Sequence, residues 1–186
     1  MKIYEIFSIH PSMETLEFAY IPRESPWYEN KLNWGEEITE KKELPIKYIY
    51  KHKSDVRDWP ATSNGGMLVS LRYADVLKRL TKHYQIFPAE VDNKGDIIKN
   101  EYVSFVFTTN FPAISWEHTE CRNLDGFADS VLKLIVSSEK IKSIPASEQV
   151  FRMAENSIWL LATEDGLKAI EDAGILDVGF GEIEVV

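Results

Sequence analysis

Two segments of this chain place an apolar strand directly before a capped amphipathic helix, and this order restricts the fold more than any other feature. In the first, residues 67–69 lead into Ser70, and apolar residues then recur at helical spacing as far as Leu80. In the second, residues 158–162 lead into Thr163, which precedes two acidic residues that suit a helix start. Gly174 then supplies a left-handed helix end. Each helix needs a sheet against which to bury its apolar face, so we expect packed sheets and helices.

Strand patterns outnumber helical patterns in the chain and do not alternate regularly with them. Such an order is typical of an α+β fold, whereas strands and helices alternate in a doubly wound sheet. We predict a mixed, mainly antiparallel sheet with two principal helices and an irregular, Trp-rich N-terminal segment. Besides the two units above, the predicted strands are residues 2–8, 17–21, 46–50, 86–91, 102–107 and 132–136.

Three of these strands carry more specific predictions. Pro88 interrupts residues 86–91, which places that strand at a sheet edge or next to a β-bulge. The run Asp92-Asn93-Lys94-Gly95-Asp96 predicts a hairpin turn. Residues 132–136 are apolar except for Lys133, so we place them centrally in a sheet.

The chain is expected to form one domain, residues 1–186, with an internal boundary at the turn residues 58–66. Residues 1–65 form a strand and loop segment, and residues 66–186 form the α+β core. The residues predicted to lie in the hydrophobic core are Leu71, Leu77, Leu80, Phe105, Phe107, Leu134, Val136, Leu160, Leu167 and Ile170.

Length, charge and cysteine content narrow the class of protein. A chain of 186 residues is long enough to bury a core without metals or disulfides, and its one cysteine, Cys121, favours a reducing compartment such as the cytoplasm. The sequence opens on a strand pattern, so we expect neither a signal peptide nor a membrane-spanning helix. A formal net charge of −9 argues against nucleic-acid binding, which requires a basic surface. The same charge serves either solubility or the attraction of a basic partner.

Catalytic and metal-binding patterns are weak throughout the sequence. His118 and Cys121 make half of a zinc site, but no second ligand pair accompanies them. The same two residues lack the surrounding signature of a cysteine hydrolase. Ser137 and Lys140 match the spacing Ser-x-x-Lys without its companion motifs. We therefore expect a protein that is not an enzyme, with no catalytic residues, no metal and no cofactor.

The succession of elements after Met67 resembles a family of bacterial immunity proteins from polymorphic toxin systems, formerly a domain of unknown function. The resemblance covers roughly residues 67–180 and implies a small cytoplasmic protein that binds and neutralises a cognate toxin made by the same cell. Its four blocks are Val69-Ser70-Leu71-Arg72 leading to Asp75-Val76-Leu77, then Ile86-Phe87-Pro88-Ala89-Glu90-Val91, then Tyr102 to Thr108 with Ala113-Ile114-Ser115-Trp116, and the strand-helix unit from Ile158 to Phe180.

The tryptophans and acidic residues of the N-terminal segment are the candidates for partner binding. Trp116 and Trp159 follow strand patterns and are assigned to the core, whereas the other three tryptophans lie in polar loops. Loop tryptophans either pin a loop to the core or contribute to an interface. If they form an interface, neighbouring glutamates would attract a basic toxin. The candidate residues are Trp27, Tyr28, Trp34, Glu36, Glu37, Glu40, Glu43 and Trp59.

Two other functions are compatible with the same sequence. One is a small-molecule-binding protein or a hydrolase whose site lies in the Trp-rich loops. The other is a non-catalytic adaptor module. A neighbouring gene that encodes a secreted toxin would favour the immunity protein over both.

Overall fold

The elements of the fold are taken from a computed structural model that describes residues 1–9, 18–27, 32, 35–40, 42–63 and 66–186. Those residues form twelve strands and three helices. In chain order these are β1 (Ile3–Ser8), β2 (Ile46–Tyr50), β3 (Met67–Ser70), α1 (Leu71–Leu80), β4 (Tyr84–Asn93), β5 (Asp96–Phe107), β6 (Asn110–Phe111), β7 (Glu120–Leu124), β8 (Phe127–Lys133), β9 (Ile135–Val136), α2 (Ser138–Ser143), β10 (Val150–Met153), β11 (Leu160–Thr163), α3 (Glu164–Asp172) and β12 (Val178–Val185).

The larger sheet has six strands in the order β6-β10-β11-β1-β12-β9. Its four central strands pair antiparallel, and β1 lies between β11 and β12. The two short outer strands, β6 and β9, pair parallel with their neighbours. Strand β1 therefore pairs with two strands, β11 and β12, that come more than half of the chain later in the sequence.

The second sheet has four strands in the order β2-β4-β5-β3. Strands β4 and β5 form a long hairpin, and both central turn residues, Lys94 and Gly95, have positive φ angles of 55° and 93°. Positive φ at both positions is the requirement of a type I′ turn, so the predicted hairpin turn is confirmed. The pairing of β4 with β5 shifts between Ala89 and Glu90, next to Pro88. Strand β2 pairs with β4 only from Ala89 onward, so Pro88 occupies an edge position of β4 and also lies next to the bulge.

Both helices of the strand-helix units begin at the predicted caps. Ser70 Oγ accepts a hydrogen bond from the backbone N–H of Tyr73 at 3.1 Å. Thr163 Oγ1 accepts one from the N–H of Gly166 at 3.1 Å. Each bond satisfies a backbone donor that the first helical turn leaves without an intrahelical partner. Gly174, with φ of 61°, follows the end of α3 as expected.

Three buried apolar clusters hold the described residues together. The first lies between the two sheets and includes α1 and α3, the second covers the other face of the four-stranded sheet, and the third covers the other face of the six-stranded sheet. The second cluster contains Ala19, Ile21 and Trp27, so residues from both sides of the predicted boundary share one core. The α+β architecture with mainly antiparallel sheets is confirmed.

Nine of the ten predicted core residues are buried, and the prediction for Leu71 is wrong. Leu71 is 45% exposed. It precedes Leu77 by six residues, which at 100° per residue turns its side chain about 120° away from the buried face of α1. Its apolar character fits another role, described below.

Two strand predictions are also wrong. Residues 132–136 do not form a central strand, because Leu132 and Lys133 belong to a separate two-stranded ribbon of β7 and β8, in which Leu132 is 85% exposed. Only Ile135 and Val136 reach the six-stranded sheet, and they lie at its edge. The second wrong prediction is the start of the strand at residues 158–162. Ile158 is exposed and precedes β11, because the side chain of Asn156 accepts its backbone N–H in a turn.

Other predicted strands are partly realised. The described part of residues 17–21 makes isolated bridges, from Ala19 to Thr62 and from Tyr20 to Ile49, in place of a full strand.

Trp116 and Trp159 are half-buried and pack against the third cluster. In the part of the chain that the structure describes, no helix is long and apolar enough to cross a membrane.

Candidate functional site

A groove runs along β4 and β5 and is made of two adjoining cavities of about 540 and 590 Å³. Both cavities include Pro45, Glu90 and Lys99, so they are parts of one groove. We call it the proline groove. Its apolar lining comprises Pro22, Pro26, Trp27, Leu44, Pro45 and Ile49 in the first cavity and Leu71, Ile86, Pro88, Ala89, Tyr102 and Val103 in the second.

A β-bulge shapes the middle of the proline groove. Tyr102 pairs with Ala89 and Lys99 pairs with Glu90, so β5 carries two extra residues at this point. One of them, Asn100, has a left-handed φ of 59°. Bulges bend a strand and redirect its side chains. Here the bulge sets the Glu90–Lys99 ion pair, at 3.2 Å, across the junction of the two cavities.

Trp27 pins the wall of the groove to the second core cluster. Its side chain is only 2% exposed, and its ring centroid lies 5.0 Å from that of Phe87. Its Nε1 donates a hydrogen bond to the backbone oxygen of Glu43 at 2.7 Å, which joins two segments that are 16 residues apart. This geometry matches the loop-anchor role that was one of the two sequence expectations for the tryptophan.

The four candidate glutamates are exposed beside this wall. Glu36, Glu37, Glu40 and Glu43 all have largely accessible side chains, and Glu40 lies 3.3 Å from Lys42. The segment is held on β4 through Gln85, whose amide exchanges hydrogen bonds with the backbone N–H and oxygen of Ile38. The structure thus brings Trp27 and Glu43 together and fixes the acidic segment near them.

One other candidate, Trp59, does not join this arrangement. Trp59 packs against the first core cluster, with its ring 5.8 Å from that of Tyr73, whereas Trp27 belongs to the second. Tyr28 and Trp34 lie outside the described residues. Trp27 and the exposed glutamates therefore define the part of the predicted site that has a described geometry.

A buried carboxylate, Asp58, ties three segments together next to α1. It accepts hydrogen bonds from Ser70 Oγ at 2.6 Å, from the backbone N–H of Leu176 at 2.9 Å and from the guanidinium of Arg72. Burial by itself would raise the pKa of Asp58, but these donors, led by Arg72, bring it below its ordinary value of 3.8. Its donors come from distant positions in the chain, so the local sequence pattern indicates only a turn at Asp58.

A carboxylate–histidine pair, Glu148 and His83, also escaped the sequence analysis. Glu148 is buried, and it accepts hydrogen bonds from Thr81 Oγ1 at 2.5 Å and from the backbone N–H of Lys82 at 3.0 Å. His83 Nδ1 lies 3.2 Å from Glu148 Oε1, and the ring remains partly exposed. Because the partners are 65 positions apart, no local spacing signals the pair. The arrangement orients the imidazole in the way that carboxylates orient catalytic histidines.

The residues of the weak catalytic and metal-binding motifs, His118, Cys121 and Lys140, make contacts within the fold. His118 Nδ1 lies 2.9 Å from Ser115 Oγ within one turn, and Cys121 is half-buried against the third cluster. Lys140 Nζ contacts the buried Glu155 at 3.1 Å and the backbone oxygen of Ile114. Among the described residues, no three His, Cys, Asp or Glu side chains converge in a way that could hold a metal ion.

No protein-family model matches the chain, and a comparison with curated proteins returns no significant match. The functional proposals below therefore depend on the geometry of the chain and on the resemblance described above.

Proposed function

We propose that this chain is a cytoplasmic immunity protein that binds a cognate bacterial toxin domain and neutralises it. The observation that carries the proposal is the proline groove, an apolar concave surface beside a segment of exposed glutamates. Two of its charged lining residues, Glu90 and Lys99, are engaged with each other at 3.2 Å. A surface of this kind suits the capture of a partner better than the transformation of a substrate.

The apolar lining supplies the affinity in this proposal. Leu44 is 47% exposed and Leu71 is 45% exposed, and each lies in a different cavity of the groove. Full burial of an exposed leucine gains about 1.5–3 kcal/mol, so each of these half-exposed leucines gains roughly half of that when a partner covers it. This also accounts for the position of Leu71, which helix packing leaves outside the core.

The glutamates supply the attraction and the orientation. Glu24 and Glu43 line the groove, and Glu36, Glu37 and Glu40 are exposed on the segment that Gln85 holds on β4. Together with the net charge of −9, they favour a basic partner. Toxin domains that act on nucleic acid carry basic surfaces, and an acidic inhibitor can cover such a surface directly.

The test of the proposal is a titration against the toxin domain encoded by a neighbouring gene. We expect the double variant Leu44→Ser/Leu71→Ser to bind at least about 30-fold more weakly, as expected when about 2 kcal/mol of contact is lost. Leu124→Ser is the matched control, because Leu124 is equally exposed, at 47%, on the β7–β8 ribbon. Equal binding by the wild type and the folded double variant would remove the groove from the interface. No binding or neutralisation of any neighbouring toxin would overturn the immunity function itself.

A small-molecule-binding protein or hydrolase is the second candidate function, and two observations favour it. The cavity volumes lie within the range of small-molecule sites, roughly 300–1,000 Å³. In addition, the His83–Glu148 pair presents an oriented imidazole, although His83 lies outside both cavity linings and outside the Trp-rich loops. The adaptor function has no separate observation in its favour.

Substitution of His83 separates the two candidates. If the chain is an immunity protein, His83→Ala leaves both toxin affinity and toxin neutralisation unchanged. If the chain is a hydrolase, His83→Ala abolishes cleavage of activated ester substrates at neutral pH, and His52→Ala, an exposed histidine elsewhere, does not. Both measurements use the same purified proteins.

A further inference from the structure

Among the described residues, one side of β12 has no strand beside it over most of its length. β1 pairs with residues 178–183 of β12, whereas β9 pairs only with Glu184 and Val185 on the opposite side. In the described part of the chain, no other strand pairs with β12. The outer side of residues 178–182 is therefore an open sheet edge.

The register shows which backbone groups point out from this edge. The N–H of Ile9 donates to the oxygen of Asp177 at 2.9 Å, which makes this pair one that exchanges hydrogen bonds. In an antiparallel pair such positions alternate, so Gly179 and Gly181 bond to β1. Val178, Phe180 and Glu182 direct their N–H and C=O groups outward. Those outward groups have no hydrogen-bond partner within the described chain.

A carboxylate without a partner lies one strand in from the edge. Glu5 of β1 is half-buried and makes no hydrogen bond or ion pair with the described residues. Burial raises the pKa of Glu5 above its ordinary value of 4.5. A cation placed beside a desolvated carboxylate compensates for the hydration that the carboxylate has lost.

Glycine leaves the space between Glu5 and the open edge empty. Gly181 is the direct partner of Glu5 on β12, and a Cβ added there would meet no atom within 4 Å. A strand added beside β12 would lie about 9.6 Å from β1, two strand spacings away. A lysine or arginine on that strand, with its long stem, reaches Glu5 across Gly181 because no side chain intervenes.

We propose that the open edge of β12 is a docking site for a basic β-strand of a protein partner, which extends the six-stranded sheet and pairs a cationic side chain with Glu5. Addition of a strand at a free edge is a common mode of peptide recognition. The charge identifies the occupant, since the site offers a free carboxylate. A second copy of this chain would present its own β12, Val178-Gly179-Phe180-Gly181-Glu182-Ile183-Glu184-Val185, which contains two acidic residues and no basic one.

The added strand would contact apolar residues on both faces. Phe7 is on the Glu5 face, where its ring covers Gly179, and Phe180 projects from the opposite face, where it is 50% exposed. A strand with alternating cationic and apolar residues places the cations towards Glu5 and the apolar residues beside Phe180. This proposal rests on the proposed function only in taking a basic protein as the partner.

The test uses a capped peptide of alternating valine and lysine residues, so it does not depend on identifying the toxin. We expect the peptide to bind and to slow amide hydrogen exchange at Val178, Phe180 and Glu182 in the wild type. Phe180→Pro removes one outward N–H without removing a bond to β1, and it should weaken binding by at least about tenfold. Phe180→Ala is the matched control, because it removes the same side chain and keeps the N–H.

A second variant tests the charge. Glu5→Gln should weaken binding of the lysine peptide while leaving exchange at the outward amides of Val178, Phe180 and Glu182 in the free protein unchanged, and a peptide with glutamate in place of lysine should not bind. The proposal is overturned if the lysine peptide does not bind to the wild type, or if it binds equally to Phe180→Pro. It is also overturned if the wild type forms a dimer that Phe180→Pro dissociates. A toxin that binds wild type and Phe180→Pro equally would exclude the edge and leave the immunity function intact.

Discussion

At the scale of single residues, Glu5 is the clearest case of a side chain whose environment opposes its charge. Burial raises its pKa, so the folded protein binds the proton more tightly than the unfolded chain does. The ionised form therefore reduces stability at neutral pH. This cost disappears as the pH falls through the raised pKa of Glu5 and towards its ordinary value of 4.5.

We therefore expect Glu5→Gln to be more stable than the wild type at pH 7 and to lose that advantage at acidic pH. The reason is that glutamine fills the same space without a charge that must be desolvated. Urea unfolding of both proteins across this pH range measures the difference. Glu101→Gln, a substitution at an exposed glutamate in β5, is the control. A Glu5→Gln protein that is less stable at neutral pH would indicate a favourable partner for the Glu5 carboxylate.

At the scale of the elements, two of the leucines of α1 separate core packing from surface exposure. Leu77 is fully buried, whereas Leu71 on the same helix is largely accessible. Leu77→Ala should lower the free energy of unfolding by about 2–5 kcal/mol through lost contacts and the cavity left behind. Leu71→Ala should change it by less than about 0.5 kcal/mol, since it is a surface substitution. Thermal or urea unfolding gives both values, and similar losses would contradict the assignment of the two faces of α1.

The elements that could be predicted from sequence are those with local signals. Both capped helices depend on Ser70 and Thr163, each followed directly by its helix, and the type I′ turn depends on Lys94 and Gly95. The prediction failed where sheet position depends on distant pairing. Residues 132–136 are apolar whether they lie at the centre of a sheet or at its edge, and the local pattern cannot distinguish the two.

The candidate site divides in the same way. The exposed glutamates and Trp27 could be identified from the sequence alone, because acidic runs and loop tryptophans are visible in it. The proline groove could not be, since it requires residues 22–27, 44–49 and 86–103 to meet. The open edge of β12 and the gap above Gly181 depend on the order of strands, which the sequence pattern does not contain.

At the scale of the whole molecule, the acidic charge should act mainly on the rate of association with a basic toxin. Glu36→Lys/Glu37→Lys should lower the association rate constant, and its salt dependence should become weaker, because long-range attraction is screened by ions. Dissociation should change little. Stopped-flow measurements at low and physiological salt give both rate constants.

Glu117→Lys/Glu171→Lys, at two exposed glutamates that do not line the groove, changes the net charge by the same amount and is the control for net charge alone. If the association rate is the same for the Glu36→Lys/Glu37→Lys variant and the wild type, the acidic segment does not face the toxin.

The central position of β1 also determines when the six-stranded sheet can form during synthesis. Its two neighbours in the sheet comprise residues 160–163 and 178–185, so the ribosome makes β1 long before either of them. At roughly 5–20 residues per second, about 150 intervening residues take about 8–30 s to emerge. Throughout that interval Ile3 and Ile6 have no sheet to enter, and both edges of the nascent strand remain unpaired. The six-stranded sheet therefore assembles late in translation, and chaperone occupancy on the emerging chain should concentrate near residues 3–8 until β12 has been made.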